Sequence, residues 1–183
     1  MTSEIDIAVS FLRQGKIIAY PTEAMFGIGC DIMDEKALKK IIEIKKRPPE
    51  KGLIIVAAKW EQVKRLTQKM PESHYKKIFK SWPGHTTWLF PAAPQVPAII
   101  KGKYNTVAIR ISNNPTIKNI CDLYDKPIVS TSANIHNKAA ATNSDEVINT
   151  FGNSIDYVVP GEIDKLCGAS KIIDGITGKV LRI

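Results

Sequence analysis

The chain has 183 residues, 44% hydrophobic and 24% charged, which is enough to bury the core of one domain and argues against wholesale disorder. Its 26 lysines and arginines outweigh 18 aspartates and glutamates, and the net charge of +8 favours polyanionic partners such as nucleotides, RNA or a membrane surface. Three cysteines without CxxC spacing disfavour a disulfide framework or a structural zinc site. Without a bilayer-length apolar run or a signal-like N-terminus, we expect a cytoplasmic protein that does not enter a membrane.

The first half of the chain alternates between helix and strand patterns. A first helix is predicted over residues 4–14, where apolar residues recur at helical spacing, and Gly15 ends it. The segment KIIAYPT predicts a strand that runs into a loop at Pro21, and the glycine-rich stretch TEAMFGIGCDIM is given no element. Asp34 is placed to cap a second helix over residues 35–47, and GLIIVA then predicts a buried strand.

The second half continues the alternation. The segments KWEQVKRL and ESHYKKIFKSW are predicted helices, TTWLFPA and TVAIRIS are predicted strands, and PTIKNICDLY is a helix opened by proline. PIVSTSAN predicts a strand ending in a hydroxyl-rich loop, SDEVINTF predicts a helix capped by Ser144, and YVVP, SKIIDG and KVLRI predict short strands. The order is not strictly βαβ, so we expect one α/β domain over residues 1–183 with a twisted, mixed sheet.

Several common catalytic motifs are missing from the sequence. It contains no GxxxxGK[ST] phosphate-binding loop, no GxGxxG after a strand, no HExxH and no GxSxG. The three histidines are scattered and the carboxylates do not cluster, so we predict no metal site built from protein ligands. What remains for chemistry is a set of cations and hydroxyl groups.

The cations gather where the second predicted helix ends. The segment KKRPPEK contains Lys45, Lys46, Arg47 and Lys51. One explanation is a helix C-terminus, where cations favour the negative end of the macrodipole. The other is a site that binds an anion, and composition alone does not choose between them.

Three further segments place polar side chains beside strands. Residues 130–134, STSAN, stand where a strand meets its loop, a position that lines a ligand crevice in some proteins and forms an ordinary turn in others. Arg110 shares a strand face with Thr106, and it needs a structural or ligand carboxylate because an unpaired buried guanidinium is costly. Glu23, in the loop after the first strand, is predicted to be solvated.

Taken in order, the segments YPTEAMFGIGCD, KKRPPEKGLIIVA, SWPG, NTVAIR and VSTSAN resemble the YrdC family, the YrdC/TsaC-type threonylcarbamoyl-AMP synthases, in their short bacterial form. The resemblance implies a twisted α/β sheet with helices and a deep, basic concave face. It implies a nucleotidyltransferase that joins L-threonine, bicarbonate or CO2, and ATP into threonylcarbamoyl-AMP with release of pyrophosphate. A downstream tRNA threonylcarbamoyl-transfer complex would then modify tRNA to N6-threonylcarbamoyladenosine.

The resemblance also implies the residues of the site. Its KxR pair falls on Lys45 and Arg47, which are predicted to be catalytic and to reach into the concave face, while Lys46 faces water. The predicted threonine-binding residues are Thr22, Arg110, Ser130 and Ser170. The predicted ATP-binding residues are Arg47, Lys51, Thr106, Ser132, Asn134 and Arg182. Mg²⁺ is expected on the triphosphate, held by phosphate oxygens and water, without a tightly bound organic cofactor.

Two positions depart from the family pattern, and two other functions stay open. His85 follows SWPG where relatives usually have proline, and it is expected to alter a loop near the site. Some relatives carry histidine near the position of Val56, so this chain lacks that polar contact with threonine. One alternative function is a non-catalytic module that binds tRNA or double-stranded RNA through the basic surface. The other is an inactive regulatory paralogue, against which the intact KxR motif and the SxN motif at Ser132 and Asn134 argue.

Overall fold

The computed structural model describes residues 2–164 and 168–182. The helices of this part of the chain are α1 Glu4–Arg13, α2 Glu35–Ile44, α3 Glu72–Lys80, α4 Ala98–Lys101, α5 Pro115–Tyr124 and α6 Ser144–Phe151. The strands are β1 Ile18–Pro21, β2 Phe26–Gly29, β3 Ile54–Ala57, β4 Thr86–Pro91, β5 Thr106–Ile111, β6 Ile128–Ser132, β7 Tyr157–Val158, β8 Lys171–Asp174 and β9 Val180–Arg182. Short 3-10 turns cover Pro49–Lys51, Trp60–Gln62, Lys64–Leu66 and Gly152–Ser154.

The strands form one mixed sheet in the order β7-β1-β2-β6-β3-β5-β4-β8-β9. The pairs β1/β7, β3/β5 and β4/β8 are parallel, and the other neighbouring strands run antiparallel. Strands that are distant in sequence therefore lie side by side at the centre of the sheet. The predicted α/β class with a mixed sheet is confirmed.

Helices pack on both faces of the sheet because alternate side chains of a strand point to opposite faces. On one face Tyr20, Val56 and Ile128 pack in a cluster with the apolar residues of α1 and α5. On the other face Ile55 and Val129 pack in a larger cluster with α2, α3 and α6. Among the described residues, α1 and α5 are the helices that pack on the first face, and another part of that face lines a cavity.

Capping groups mark the start of three helices, and the predictions at α2 and α5 are confirmed. Ser3 and Asp6 form a reciprocal capping box at the start of α1. The Asp34 side chain accepts a hydrogen bond from the Ala37 amide at 3.0 Å and caps α2, as predicted. Pro115 opens α5 as predicted, and the side chain of Asn114 caps that helix.

The second predicted helix is shorter than expected, since α2 ends at Ile44 and not at Arg47. Lys46 adopts a left-handed conformation with φ of 48°. Its amide donates to the Glu43 carbonyl at 2.9 Å, and the Arg47 amide donates to the Ile42 carbonyl at 3.0 Å. This pair of bonds is a Schellman motif, which ends the helix before the two prolines.

Two other local predictions were wrong, and the strand in the glycine-rich stretch was not predicted. The segment KWEQVKRL forms two 3-10 turns, because the Gln62 side chain accepts from the Ala58 amide and donates to the Cys121 carbonyl, which ties the segment to its neighbours. Asn143 caps α6 and Ser144 is the first residue of that helix. The glycine-rich stretch contains β2, where a Cβ on Gly29 would lie 2.4 Å from the Val129 carbonyl oxygen. Gly29 therefore permits β2 and β6 to pair closely.

Cys30 and Cys121 are buried free thiols, and Cys167 lies outside the described residues, as does Ile183 at the end of the segment KVLRI. None of the helices in the described ranges has the length and apolar character needed to span a bilayer.

Candidate active site

Strands β2, β6, β3 and β5 line a cavity of about 340 Å³ on the face that α1 and α5 cover only in part. The register explains this lining, since Val56 pairs with Arg110 and Ile54 with Ser130, so that these side chains share one face. The predicted site residues that line this first cavity are Thr22, Arg47, Arg110, Ser130, Ser132, Asn134, Ser170 and Arg182. The sheet order thus brings together residues from both ends of the chain.

A second cavity of about 420 Å³ adjoins the first and shares Arg47, Ile54 and Arg182 with it. Two further predicted site residues, Lys51 and Thr106, line this second cavity. The two cavities therefore meet at the two shared arginines. Lys45 is the predicted site residue that lines neither of them.

The two shared guanidinium groups are held by backbone oxygens. Arg47 Nε donates to the Gly52 carbonyl at 2.9 Å, and Arg182 donates from Nε and Nη2 to the Ser170 carbonyl at 2.9 and 2.7 Å. Burial lowers the pKa of Arg47, and burial together with the Arg47 charge lowers the pKa of Arg182. Within the described ranges neither arginine has a carboxylate partner, so the junction between the cavities is suited to binding an anion.

Arg110 is 7% exposed and is paired with a structural carboxylate. Its Nη2 donates to Glu23 Oε1 in a buried ion pair, and its Nε donates to the Gly84 carbonyl at 2.8 Å. Burial lowers the pKa of Arg110, and the Glu23 charge opposes that shift. Nη1 makes no hydrogen bond to a described residue, so Arg110 offers a ligand only part of its guanidinium.

The prediction that Glu23 is solvated was wrong, since this residue is only 3% exposed. A signal was present in the sequence: a strand arginine needs a carboxylate, and Glu23 is the acid in the same matched segment as Thr22. The cavities also contain Lys101 and Lys138, two cations that sequence reasoning missed.

The Lys45 ammonium lies beneath the turn at Ser132–Asn134, and this differs from the expectation that it points into the concave face. The residue is 2% exposed, and Nζ donates to the Ser132 carbonyl, to the Asn134 carbonyl at 2.8 Å and to Asn134 Oδ1 at 3.1 Å. The early end of α2 produces this difference, because Lys45 keeps a helical conformation and extends the buried side of the helix. Lys46 is exposed, as predicted, and Arg47 reaches the cavities after the left-handed turn.

Burial and the nearby Arg47 charge lower the pKa of Lys45 from 10.5 to about 7. Its three oxygen acceptors oppose this shift, because a neutral amine has only two N–H groups to donate. The ammonium form therefore binds the turn most completely, and it predominates below the lowered pKa.

The turn above Lys45 is a closed hydrogen-bond network. Ser132 Oγ donates to Asn134 Oδ1 at 2.7 Å, and Asn134 Nδ2 donates to the Lys138 carbonyl at 2.6 Å. The His136 amide donates to the Lys45 carbonyl at 2.7 Å, which attaches the far side of the turn to the same lysine. Lys45 thus holds two cavity-lining side chains in fixed orientations.

The remaining predicted residues lie at the edges of the two cavities. Thr22 Oγ1 donates to the Met25 carbonyl at 2.5 Å and keeps its lone pairs for a ligand donor. Ser170 Oγ lies 2.8 Å from Thr87 Oγ1, while exposed Lys51 places Nζ 3.2 Å from His136 Nε2. His85 and apolar Val56 both line the first cavity, and His85 Nε2 lies 3.3 Å from the Gly168 carbonyl oxygen.

The chemical character of the two cavities is cationic and hydroxyl-rich. Their charged lining residues are Arg47, Lys51, Lys101, Arg110, Lys138 and Arg182, and no aspartate or glutamate lines either cavity within the described residues. In the same part of the chain, no group of three or more His, Cys, Asp or Glu side chains is placed to hold a metal ion. The arrangement can bind a polyanion at the shared arginines and a smaller carboxylate near Arg110.

A family model named for Sua5, YciO and YrdC, and described as telomere recombination, matches residues 10–183. The chain belongs to this family. The resemblance of the five segments to the YrdC family is therefore confirmed.

Members of the Sua5/YciO/YrdC family with curated names resemble the chain over its full length. The chain is 38% identical over 182 residues to a threonylcarbamoyl-AMP synthase of Coxiella burnetii, with 100% of this chain and 98% of the relative covered. It is 41% identical over 177 residues to the synthase of Klebsiella pneumoniae, with 96% and 93% covered. Crystalline P. abyssi Sua5 complexed with L-threonine has a TM-score of 0.87 and 35% identity, and 94% of this chain matches 51% of that longer chain.

Proposed function

We propose that the protein is an L-threonylcarbamoyladenylate synthase, an enzyme that condenses L-threonine, bicarbonate or CO2, and ATP. Its products are threonylcarbamoyl-AMP and pyrophosphate. The observation that carries this proposal is the pair of joined cavities, one hydroxyl-rich with Arg110 and one basic, that meet at Arg47 and Arg182. Relatives covered almost end to end carry the name of this enzyme, and Sua5 was crystallised with L-threonine. These names do not favour the alternative of a non-catalytic RNA-binding module.

The reaction joins two anions, the carbamate of threonine and ATP, so the positions of the cations decide where the two reacting groups meet. The neutral amine of threonine attacks CO2 and loses a proton, which gives a carbamate. A carbamate oxygen then attacks the α-phosphorus of ATP, the bond from that phosphorus to the bridging oxygen breaks, and pyrophosphate leaves. In the transition state, negative charge increases on the oxygens of the α-phosphate and on the leaving pyrophosphate, and preorganised cations stabilise this charge.

We assign threonine to the part of the first cavity around Arg110, and the nucleotide to the second cavity together with the part of the first that Ser132 and Asn134 line. Thr22, Arg110, Ser130 and Ser170 bind the amino acid, with Arg110 Nη1 on its carboxylate. Lys51, Thr106, Ser132, Asn134 and Arg182 bind ATP together with Arg47. The carbamate and the α-phosphate then meet at the shared arginines. In this assignment Lys45 acts by holding Ser132 and Asn134 and does not itself contact the phosphates.

Mg²⁺ accompanies ATP in this proposal. The lining residues offer hydroxyl and carbonyl oxygens but no carboxylate within the described chain, so the ion fits there as part of the triphosphate, with phosphate oxygens and water as its ligands. When bound, it neutralises charge on the phosphates. The product passes to a downstream complex that transfers the threonylcarbamoyl group to tRNA, because a mixed anhydride of this kind is short-lived in water.

The test is a pyrophosphate-release assay with ATP, Mg²⁺, threonine and bicarbonate, each substrate being omitted in turn. We expect release to need all of them, and mass spectrometry should detect the threonylcarbamoyl-AMP adduct. An equal rate without threonine would contradict the proposal, because another nucleophile would then be attacking ATP.

A further inference from the structure

Glu23 is a buried acid with only one of its carboxylate oxygens hydrogen-bonded. The residue is 3% exposed and lies between Thr22 and Ala24, which both line the first cavity. Oε1 accepts from Arg110 Nη2 and from Ser112 Oγ, the latter at 3.3 Å. Oε2 is buried and has no partner among the described residues.

Stability alone does not explain this ion pair. Burying two charges costs desolvation free energy, and replacing such a pair by apolar residues of similar size is often neutral or stabilising. The pair also lies at the edge of a substrate cavity, and not in either apolar core. Its position therefore points to a role in the site.

The contacts of Arg110 show what Glu23 does to its orientation. Nε is held by the Gly84 carbonyl at 2.8 Å and Nη2 is held by Glu23. Two contacts on different nitrogens fix both the plane and the rotation of a rigid guanidinium group. Nη1 is then the nitrogen available to a ligand.

The contrast with the other arginines shows what Glu23 does to the charge. Arg47 and Arg182 have no carboxylate partner within the described ranges, whereas Arg110 is neutralised by an adjacent anion. A triphosphate is attracted in proportion to local net charge, so it favours the unneutralised pair. A single carboxylate needs well-placed donors more than it needs net charge.

We propose that Glu23 is a positioning and specificity-determining residue, which orients Arg110 for the substrate carboxylate and keeps phosphate groups away from it. This inference rests on the proposed function, since it takes threonine and ATP as the two anionic ligands. With Glu23 in place, the threonine carboxylate binds near Arg110 and the triphosphate binds near Arg47 and Arg182.

The experiment compares Glu23→Gln, Glu23→Ala and the control Glu61→Gln by isothermal titration with L-threonine, with and without inorganic triphosphate. Glu61 is exposed and makes no ion pair with a described residue, so it reports the general effect of losing one negative charge. Glutamine keeps an oxygen acceptor for Arg110 Nη2 while it removes the charge. Thermal melts of every variant establish that it is folded.

We expect Glu23→Gln to bind threonine alone within about threefold of wild type. Triphosphate should raise its apparent dissociation constant for threonine by about tenfold or more, and should leave wild type and Glu61→Gln nearly unchanged. Glu23→Ala should bind threonine about tenfold or more weakly even without triphosphate, because Arg110 loses its orientation.

Wild-type affinity in both Glu23 variants, with triphosphate having no effect, would overturn the inference and leave Glu23 a purely structural residue. If Glu23→Ala does not fold, the effect of triphosphate on threonine binding by Glu23→Gln is enough to support or overturn the inference. The titrations do not use pyrophosphate release, so a protein that binds threonine but releases no pyrophosphate contradicts the proposed function separately.

Discussion

Lys45 and Asn134, which are far apart in sequence, are joined by two hydrogen bonds from one ammonium group. Nζ donates to the Asn134 carbonyl at 2.8 Å and to Asn134 Oδ1 at 3.1 Å. The lysine therefore fixes both the backbone of the turn and the orientation of an amide that lines the first cavity. Its charge acts on the site through this turn.

Lys45→Met tests this relationship, because methionine keeps an apolar stem and removes all of the hydrogen bonds that the lysine ammonium donates. We expect pyrophosphate release to fall by about a hundredfold or more, the scale of losing one preorganised contact in a transition state. Asn134→Ala should cause a similar loss, and the double variant should lose little more than either single variant. Additive losses would mean that Lys45 contacts the substrates directly.

Arg47→Ala should also lower the rate of pyrophosphate release by about a hundredfold or more, since this arginine lines both cavities. Its neighbour Lys46 is exposed and provides the matched control. Lys46→Ala should lower the rate of pyrophosphate release less than about threefold, as expected for a surface substitution. If both variants are equally impaired and both are folded by circular dichroism, the cluster acts through bulk charge.

Lys46→Gly should raise the free energy of unfolding by about 1 kcal/mol, because a non-glycine residue in the left-handed conformation is strained. Lys46 holds φ of 48° at the end of α2, where glycine is the common residue. Urea unfolding measures the change, and pyrophosphate release should stay near wild type. An unchanged or lower stability would show that the strain is offset elsewhere.

The lowered pKa of Lys45, about 7 against an ordinary 10.5, predicts a pH dependence. Above the lowered pKa the unfolded chain keeps a proton that the folded chain has lost, so this group adds stability as pH rises towards 10.5. The wild-type free energy of unfolding, minus that of Lys45→Met, should therefore increase by up to about 1.4 kcal/mol per pH unit. Urea titrations at several pH values test this, and parallel curves for the two proteins would contradict it.

Activity should move in the opposite direction over the same range. As Lys45 loses its proton, the turn loses a donor and a charge, and turnover by wild type should decrease as pH rises through about 7. Lys45→Met should lack this limb of the pH profile, which separates it from limbs caused by the substrates.

Arg110→Lys should weaken the binding of threonine much more than the binding of ATP. Lysine keeps the positive charge but lacks the planar guanidinium that Glu23 and Gly84 hold in place. Loss of one charge-assisted contact corresponds to about 1.5–3 kcal/mol of binding free energy. Isothermal titration of both ligands measures the difference. Unchanged affinity for threonine would mean that Arg110 pairs only with Glu23 and does not bind the substrate carboxylate.

Features that depend on neighbouring residues could be predicted without the fold. The cap at Asp34, the helix opened by Pro115 and the strand TVAIRIS follow from contacts within a few residues, so periodicity and capping patterns predict them. The ordered segments also identified the family, and ten of the eleven site residues that the resemblance implies line the two cavities.

The directions of the buried charged side chains depend on the strand order and could not be predicted from local patterns. Glu23 and Arg110 are 87 positions apart, and they meet because the fold brings the Arg110 side chain of β5 to the loop after β1. Lys45 likewise finds its oxygen acceptors in a turn that follows β6. A buried charge takes its direction from whichever partner the strand order brings near it, because leaving it unpaired costs more than any local preference.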